Sequence, residues 1–204
     1  MTLDDPCAEI RRPGRPRSTE ADRAILDAAV DEYGEQGLAG LTVDAVAARA
    51  GVSKATIYRR YPCKADLVIA AVHTSADDTQ PKVVTGDIRR DLRSVLEHLR
   101  AVMQHPRVGR SMRMLIVDSH RDEQLRCLHR DFVRVRRAGT IAMLTGAAAR
   151  GDLRADIDTE VAAEQLVGPI FYRFLVSGDV LDDAYLDALV ETFLGTYANR
   201  TGIS

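Results

Sequence analysis

No apolar run in this chain approaches the ~18 residues needed to cross a bilayer, so a membrane span is excluded. The opening MTLDDPCAEI lacks the basic and apolar regions of a signal peptide. Both absences point to the cytoplasm. Cysteine is scarce: Cys7, Cys63 and Cys127 are odd in number and far apart, which excludes a disulfide framework and suits free thiols. Tryptophan is missing and aromatics are 5% of 204 residues, yet 46% are hydrophobic, enough to bury a core in one small and one larger domain. Strand-like alternation and internal repeats are absent. So are a nucleophile elbow, a phosphate loop, an HExxH pair and paired carboxylates in an evident cleft, which argues against an enzyme. No cofactor is expected.

An excess of positive charge is lacking too, since the formal net charge is −2. Its distribution says more than its sum. Arg11, Arg12, Arg15 and Arg17 form one acid-free cluster, and Lys54, Arg59, Arg60 and Lys64 form a second. Between them Glu20, Asp22, Asp27, Asp31, Glu32, Glu35 and Asp44 face only Arg23 and Arg49, and the C-terminal stretch around Asp179, Asp182, Asp183, Asp187 and Glu191 is acidic again. A positive field should therefore be local to one surface.

What is present everywhere is helical periodicity, which predicts an all-α fold of about nine helices. Thr19-Glu20-Ala21-Asp22 resembles a capping box opening a helix to about Gln36, closed by Gly37. Its stripe is Ile25, Ala28, Ala29 and Tyr33. Further helices are expected from Lys64 to about Asp77, Asp87 to Gln104, Arg107 to about Asp118, Asp122 to Arg150, Asp158 to Ser177 and Asp182 to Arg200. Thr79-Gln80-Pro81-Lys82 is a break.

The segment from Leu41 to Ala71 has the grammar of a helix-turn-helix. Thr42 can cap a short helix with Asp44 in its first turn and Val43, Val46 and Ala47 as its stripe. Gly51 ends it, Ser53 caps a second helix from Lys54 to Tyr61, and Pro62 stops that one. Such a pair lays its second helix in the major groove of DNA. That helix carries Lys54, Thr56, Tyr58, Arg59, Arg60, Tyr61 and, just beyond, Lys64, a set of cations and hydroxyls without an acid that suits phosphates. Ala55 is small enough for close approach to base edges.

The run T-V-D-A-V-A-A-R-A-G-V-S-K-A-T-I-Y-R-R-Y-P-C-K-A-D-L-V, within residues of about 18–72, resembles the N-terminal domain of the tetracycline-repressor (TetR) family of bacterial regulators. A Gly is common in that family where Ala55 stands, and a Ser where Cys63 stands. The resemblance implies three domains: a basic N-terminal arm (1–17), a helix-turn-helix DNA-binding domain (18–66) and a helical ligand-binding and dimerisation domain (67–204). The implied DNA contacts are Thr42, Ser53, Lys54, Ala55, Thr56, Tyr58, Arg59, Tyr61 and Lys64, with Arg15 and Arg17 from the arm.

It also implies partners: double-stranded DNA with a palindromic operator, a second copy of the chain, and a small-molecule effector of largely apolar character. Candidate pocket residues are Leu99, Met103, Met112, Leu115, Ile116, Phe132, Val135, Met143, Phe171 and Tyr172, since Met and Phe suit an adaptable apolar cavity. Arg136, Arg173 and His129 lie near these stripes, either to meet an anionic head group or to pair with acids such as Asp131 or Asp179. Dimer candidates on the last two helices are Val167, Ile170, Phe174, Leu186, Leu189, Val190 and Phe193, for a four-helix bundle between protomers. The competing reading has both helices simply completing the protomer core. The expected function is a dimeric repressor released from its operator by a ligand, with the helix from Lys64 as lever. A regulator that activates or answers to a protein partner, and an architectural DNA-binding protein, are the alternatives.

Two features stand apart. The arm, RRPGRPR, resembles an AT-hook whose Arg15 enters a narrow minor groove, or else it is a basic tail touching phosphates. Cys63 occupies a helix-capping position, where a redox role is the sharper reading. Asp118, His120, Asp122, Cys127, His129 and Asp131 crowd one stretch but match no metal-ligand spacing, so no metal is expected.

Overall fold

A computed structural model of the chain describes residues 19–77 and 85–199. Nine α-helices form among them: α1 (Thr19–Gly40), α2 (Val43–Ala50), α3 (Lys54–Tyr58), α4 (Lys64–Asp77), α5 (Ile88–Gln104), α6 (Pro106–Ser119), α7 (Glu123–Arg150), α8 (Thr159–Tyr172) and α9 (Asp183–Tyr197). The described residues contain no strand, only an isolated bridge between Leu153 and Ala198.

The α1 stripe buries Ile25, Leu26, Ala28, Ala29, Val30 and Tyr33 against α2, α4 and α6. Apolar positions three and four apart make this one continuous face. Gly37 breaks the helix at φ 66°, a conformation open to glycine at little cost, and one more turn runs to Gly40. Charged ties hold α2 and the turn after α3 to α1: Arg49 lies 3.3 Å from Glu32, and the half-buried Arg60 lies 2.7 Å from Asp22.

The larger half is a bundle in which α5 packs on α6, α8 and α9, while α7 packs on α4, α6 and α8. Its seam with the small half is the α1–α6 crossing. There the fully buried Ser111 donates from Oγ to the Val30 carbonyl at 2.9 Å, and Arg107 donates to the Asp27 carbonyl at 3.0 Å and to the Asp31 carboxylate.

Three expected helices are shorter than their periodicity suggested. The second helix of the helix-turn-helix ends at Tyr58, and Arg60 N bonds back only three residues to Ile57 O at 2.9 Å. Pro62 disfavours helical backbone at Tyr61, so the last turn tightens. The helix expected to reach Ser177 gives way after Tyr172 to a π turn, Arg173–Ser177. Pro169 lacks the N–H that would have closed its own turn. The last helix stops at Tyr197 because the chain beyond bonds elsewhere: Tyr197 O accepts from Arg154 N at 2.9 Å, and Asn199 N donates to Asp152 O at 3.2 Å.

Candidate DNA-reading surface and effector cavity

Two side-chain caps set the geometry of α2 and α3. Thr42 Oγ1 accepts from Ala45 N at 3.1 Å, and Ser53 Oγ accepts from Thr56 N at 3.2 Å. Between them Gly51 turns left-handed (φ 66°, ψ 32°), and Val52 N returns to Ala47 O at 3.1 Å. This pairing closes a helix and redirects the chain within two residues. Val46 and Ile57 point inward and are essentially buried. The opposite face exposes Thr42, Ser53, Lys54, Ala55, Tyr58, Arg59 and, at the start of α4, Lys64.

Other members of the sequence-derived set are engaged within the fold. Tyr61 is half-buried against the core. Burial, then the nearby Asp22 charge, push its phenol pKa up, with Arg60 opposing. Thr56 is half-buried, and its hydroxyl lies 2.9 Å from that of Ser53. Arg60, counted among the helix cations, is spent on Asp22. Lys54 lies 2.6 Å from Asp44 on α2, and that hydrogen bond holds its ammonium pKa above the ordinary value. Arg15 and Arg17 lie outside the described residues.

Behind this surface a cavity of about 480 Å³ opens among α4, α5, α6, α7 and α8. Of the candidates that the family resemblance implied, Leu99, Met103, Met112, Ile116, Phe132, Met143 and Phe171 line it. Leu115, Val135 and Tyr172 do not. Each is one residue from a lining residue or from its helical face, and one residue on a helix is a rotation of about 100°. Leu115 is fully buried elsewhere in the core, while Val135 and Tyr172 are 68% and 58% exposed. Polar wall residues that the apolar pattern hid are Ser94, His98, Thr140 and Arg137. Ser94 and His98 sit one turn apart beside Val95 and Leu99, and that spacing was the available signal.

The polar end of the cavity is specific. Arg136 Nη2 lies 2.5 Å from His98 Nε2, and its guanidinium sits 5.4 Å from the centre of the Phe132 ring. His73 stacks on the other contact of Phe132, with ring centres 3.2 Å apart. Burial, then the charges of His129 and Arg136, push His73 down to about 3. Burial and His120 lower His129 as well. Arg173 is not here; it covers the Tyr185 ring. The crowded stretch from Asp118 to Asp131 diverges along two helices, and the described residues contain no group of three or more ligands that could hold a metal.

Of the dimer candidates, Ile170, Leu186, Val190 and Phe193 are buried within one protomer, so they present nothing to a partner. Val167 lines the cavity, Phe174 lies under the Arg113 guanidinium at 4.5 Å, and Leu189 packs partly against the core. Ile170, Leu186, Val190 and Phe193 thus pack inside the protomer, while Val167, Phe174 and Leu189 stay half-buried in it.

Residues 84–193, more than half of the chain, match the family described as "Tetracyclin repressor-like, C-terminal domain", and residues 25–71 match "Bacterial regulatory proteins, tetR family". The chain belongs to the tetR family. It is 36% identical to the HTH-type transcriptional regulator YdeS of Bacillus subtilis (strain 168), over 91% of this chain and 94% of that one. It is 29% identical to the DNA-binding transcriptional repressor TetR of Mycobacteroides abscessus, over 84% and 90% of the two chains. The solved TetR family regulator SCO0332 superposes with a TM-score of 0.71 at 33% identity, covering 86% of this chain and 97% of that one. As a TetR-family member the chain is a DNA-binding transcription regulator, and none of its described helices is long and apolar enough to cross a membrane.

Proposed function

We propose that this TetR-family regulator is a homodimeric repressor that binds a palindromic operator and leaves it when a small molecule fills the α4–α8 cavity. The observation that carries the reading is the double duty of α6. Its Met112 and Ile116 face the cavity, and its Ser111 and Asp118 hold α1 of the DNA-binding half. A ligand that favours one seating of α6 shifts the population of α1 positions, and with it the spacing of two α3 helices. The helix α4 contributes in parallel, since Ala76 reaches the cavity wall.

Dimerisation is supported by a face the protomer leaves open. Val161, Gly168, Tyr172, Leu175 and Val176 are exposed at helical spacing on α8 and the π turn, and Ala184, Ala188, Thr192, Gly195 and Thr196 form an exposed small-residue stripe on α9. A two-fold pairing of these faces makes a four-helix bundle. It also gives two reading helices, which a half-site dimer needs.

The test is selection from a random duplex library at ~150 mM salt, where non-specific phosphate binding is largely suppressed. An enriched palindrome supports the reading. Enrichment of A·T content alone would favour an architectural role for the arm, and no enrichment would overturn the reading of α3.

A further inference from the structure

We propose that the cavity takes an amphipathic organic anion, with its carboxylate or sulfonate held by Arg136 and His129 and its apolar body laid along Leu99, Met103, Ile116 and Phe171. This rests on the reading of that cavity as the effector site and names the chemistry of what enters it.

The wall is apolar except at one end, where side chains of one character gather. Arg136 supplies a permanent cation whose guanidinium is held in place by His98 and the Phe132 ring. An arginine fork matches a carboxylate or sulfonate geometrically. His129 also lines the cavity, and its Nδ1 is buried without a hydrogen-bond partner among the described residues, as is Nε2 of the adjacent His73. Buried polar atoms are nearly always bonded, so an open imidazole nitrogen on a cavity wall marks the place of a ligand's polar atom. Burial lowers the His129 pKa and so favours the neutral imidazole, which can donate an N–H to an oxyanion.

A cationic ligand would need a carboxylate, and the two on the wall are already occupied. Asp91 accepts from Thr85 N at 2.8 Å, Thr85 Oγ1 at 2.7 Å and Gly86 N at 3.1 Å. Glu164 accepts from Arg137. The volume of about 480 Å³ suits a body of two or three fused or linked rings, or a medium-length chain.

The experiment compares two fluorescent probes that differ by one group: 1-anilinonaphthalene-8-sulfonate, and N-phenyl-1-naphthylamine, which lacks the sulfonate. Each is titrated into the full chain, into Arg136→Met and Arg136→Lys, and into Gly139→Phe. Gly139 lines the cavity, and an added Cβ there meets no atom within 4 Å, so a larger side chain can be rooted at the cavity edge without a clash at its base. The anion is expected to bind one site per chain at least ~10-fold more tightly than the neutral probe, the worth of a hydrogen bond to a charged group. Arg136→Met should abolish that preference while sparing the neutral probe, Arg136→Lys should restore part of it, and Gly139→Phe should weaken both. Equal binding of the two probes, unchanged in Arg136→Met, would overturn the anion assignment while leaving the cavity an effector site. No binding of either probe, or binding indifferent to Gly139→Phe, would overturn both.

Discussion

Tyr33 Oη donates to Asp118 Oδ2 at 3.1 Å across the α1–α6 crossing, and the same oxygen accepts the Leu38 amide at 2.9 Å. One carboxylate thus satisfies a buried phenol of the DNA-binding half and the amide freed where Gly37 breaks α1. Burial, followed by the Asp118 charge and hydrogen bond, raises the Tyr33 pKa far above its usual range. Asp118→Ala leaves both donors without an acceptor and should cost ~1–3 kcal/mol. At this chain length that is a melting-temperature loss of roughly 2–12 °C by calorimetry. If α6 relays the effector, operator affinity should survive at low temperature while its loss on effector binding is blunted. An unchanged induction ratio would remove Asp118 from the relay.

Lys54 is paired with Asp44 at 2.6 Å before any DNA arrives, whereas no such ion pair involves the exposed Lys64 among the described residues. Lys64→Ala should therefore weaken cognate and random DNA alike and reduce the slope of log K against log salt by ~1 per protomer. Asp44→Asn should act oppositely, freeing Lys54 and steepening the slope. Tyr58→Phe, at the exposed end of α3, should alter preference among operator variants more than overall affinity. Fluorescence anisotropy from 50 to 200 mM salt checks all three, and parallel slopes for every variant would show that these residues do not meet phosphate.

Cys63 Sγ accepts from Asp66 N at 3.5 Å and from Gln124 Nε2 at 3.0 Å, and donates to Asp66 Oδ2 at 3.1 Å. It therefore caps α4 and touches the first turn of α7. A serine hydroxyl caps better than a thiol, so Cys63→Ser should stabilise by a few tenths to ~1 kcal/mol, and Cys63→Ala should destabilise by ~1 kcal/mol. Denaturant melts with unchanged m-values measure both. Loss of operator binding under diamide that disappears in Cys63→Ser would instead assign the thiol a redox role.

The depressed His73 predicts an acid-side instability. The folded protein holds this imidazole neutral down to about pH 3, while in the unfolded chain it titrates near 6.5. The unfolded state therefore binds the extra proton, so the contribution is complete above pH ~6.5 and lost progressively as pH falls toward 3. His129, lowered in the same direction, adds to it. His73→Phe keeps a ring against Phe132 and removes one proton from the cycle. Its melting temperature should fall less between pH 7 and 5 than that of the unaltered chain. Identical pH profiles would show that His73 is hydrated in the folded state.

The open face on α8 and α9 predicts that Tyr172→Glu with Val176→Glu yields a helical monomer. These side chains are 58% and 70% exposed in the protomer, so the fold has little to lose by their change. Light scattering should report half the mass, and preference for a two-fold operator over a single half-site should vanish. A persistent dimer would move the interface elsewhere.

The local chemistry of the reading surface was legible in the chain itself. Thr42, Gly51, Ser53 and Pro62 act through neighbours one to three residues away, and caps, left-handed turns and proline stops are short-range effects that a sequence displays directly. Helical periodicity and caps likewise gave the all-α class and the helix starts to within one residue, whereas the ends of α1, α3, α8 and α9 fell elsewhere. What lay beyond it was the direction of side chains on long helices. Leu115 and Ile116 are chemically alike and adjacent, yet only Ile116 reaches the cavity. The same step separates Tyr172 from Phe171. Which apolar stripe meets its own core and which is left for a partner depends on how α8 rolls against α5 and α7, so Ile170 and Leu186 turned inward while Val176 stayed exposed. The pairings Asp118–Tyr33, Arg60–Asp22 and Arg136–His98 join residues 38 to 85 positions apart. Such contacts arise only when packing brings separate helices together, and it is packing that turned a basic helix and an apolar stripe into a reading face joined to a cavity.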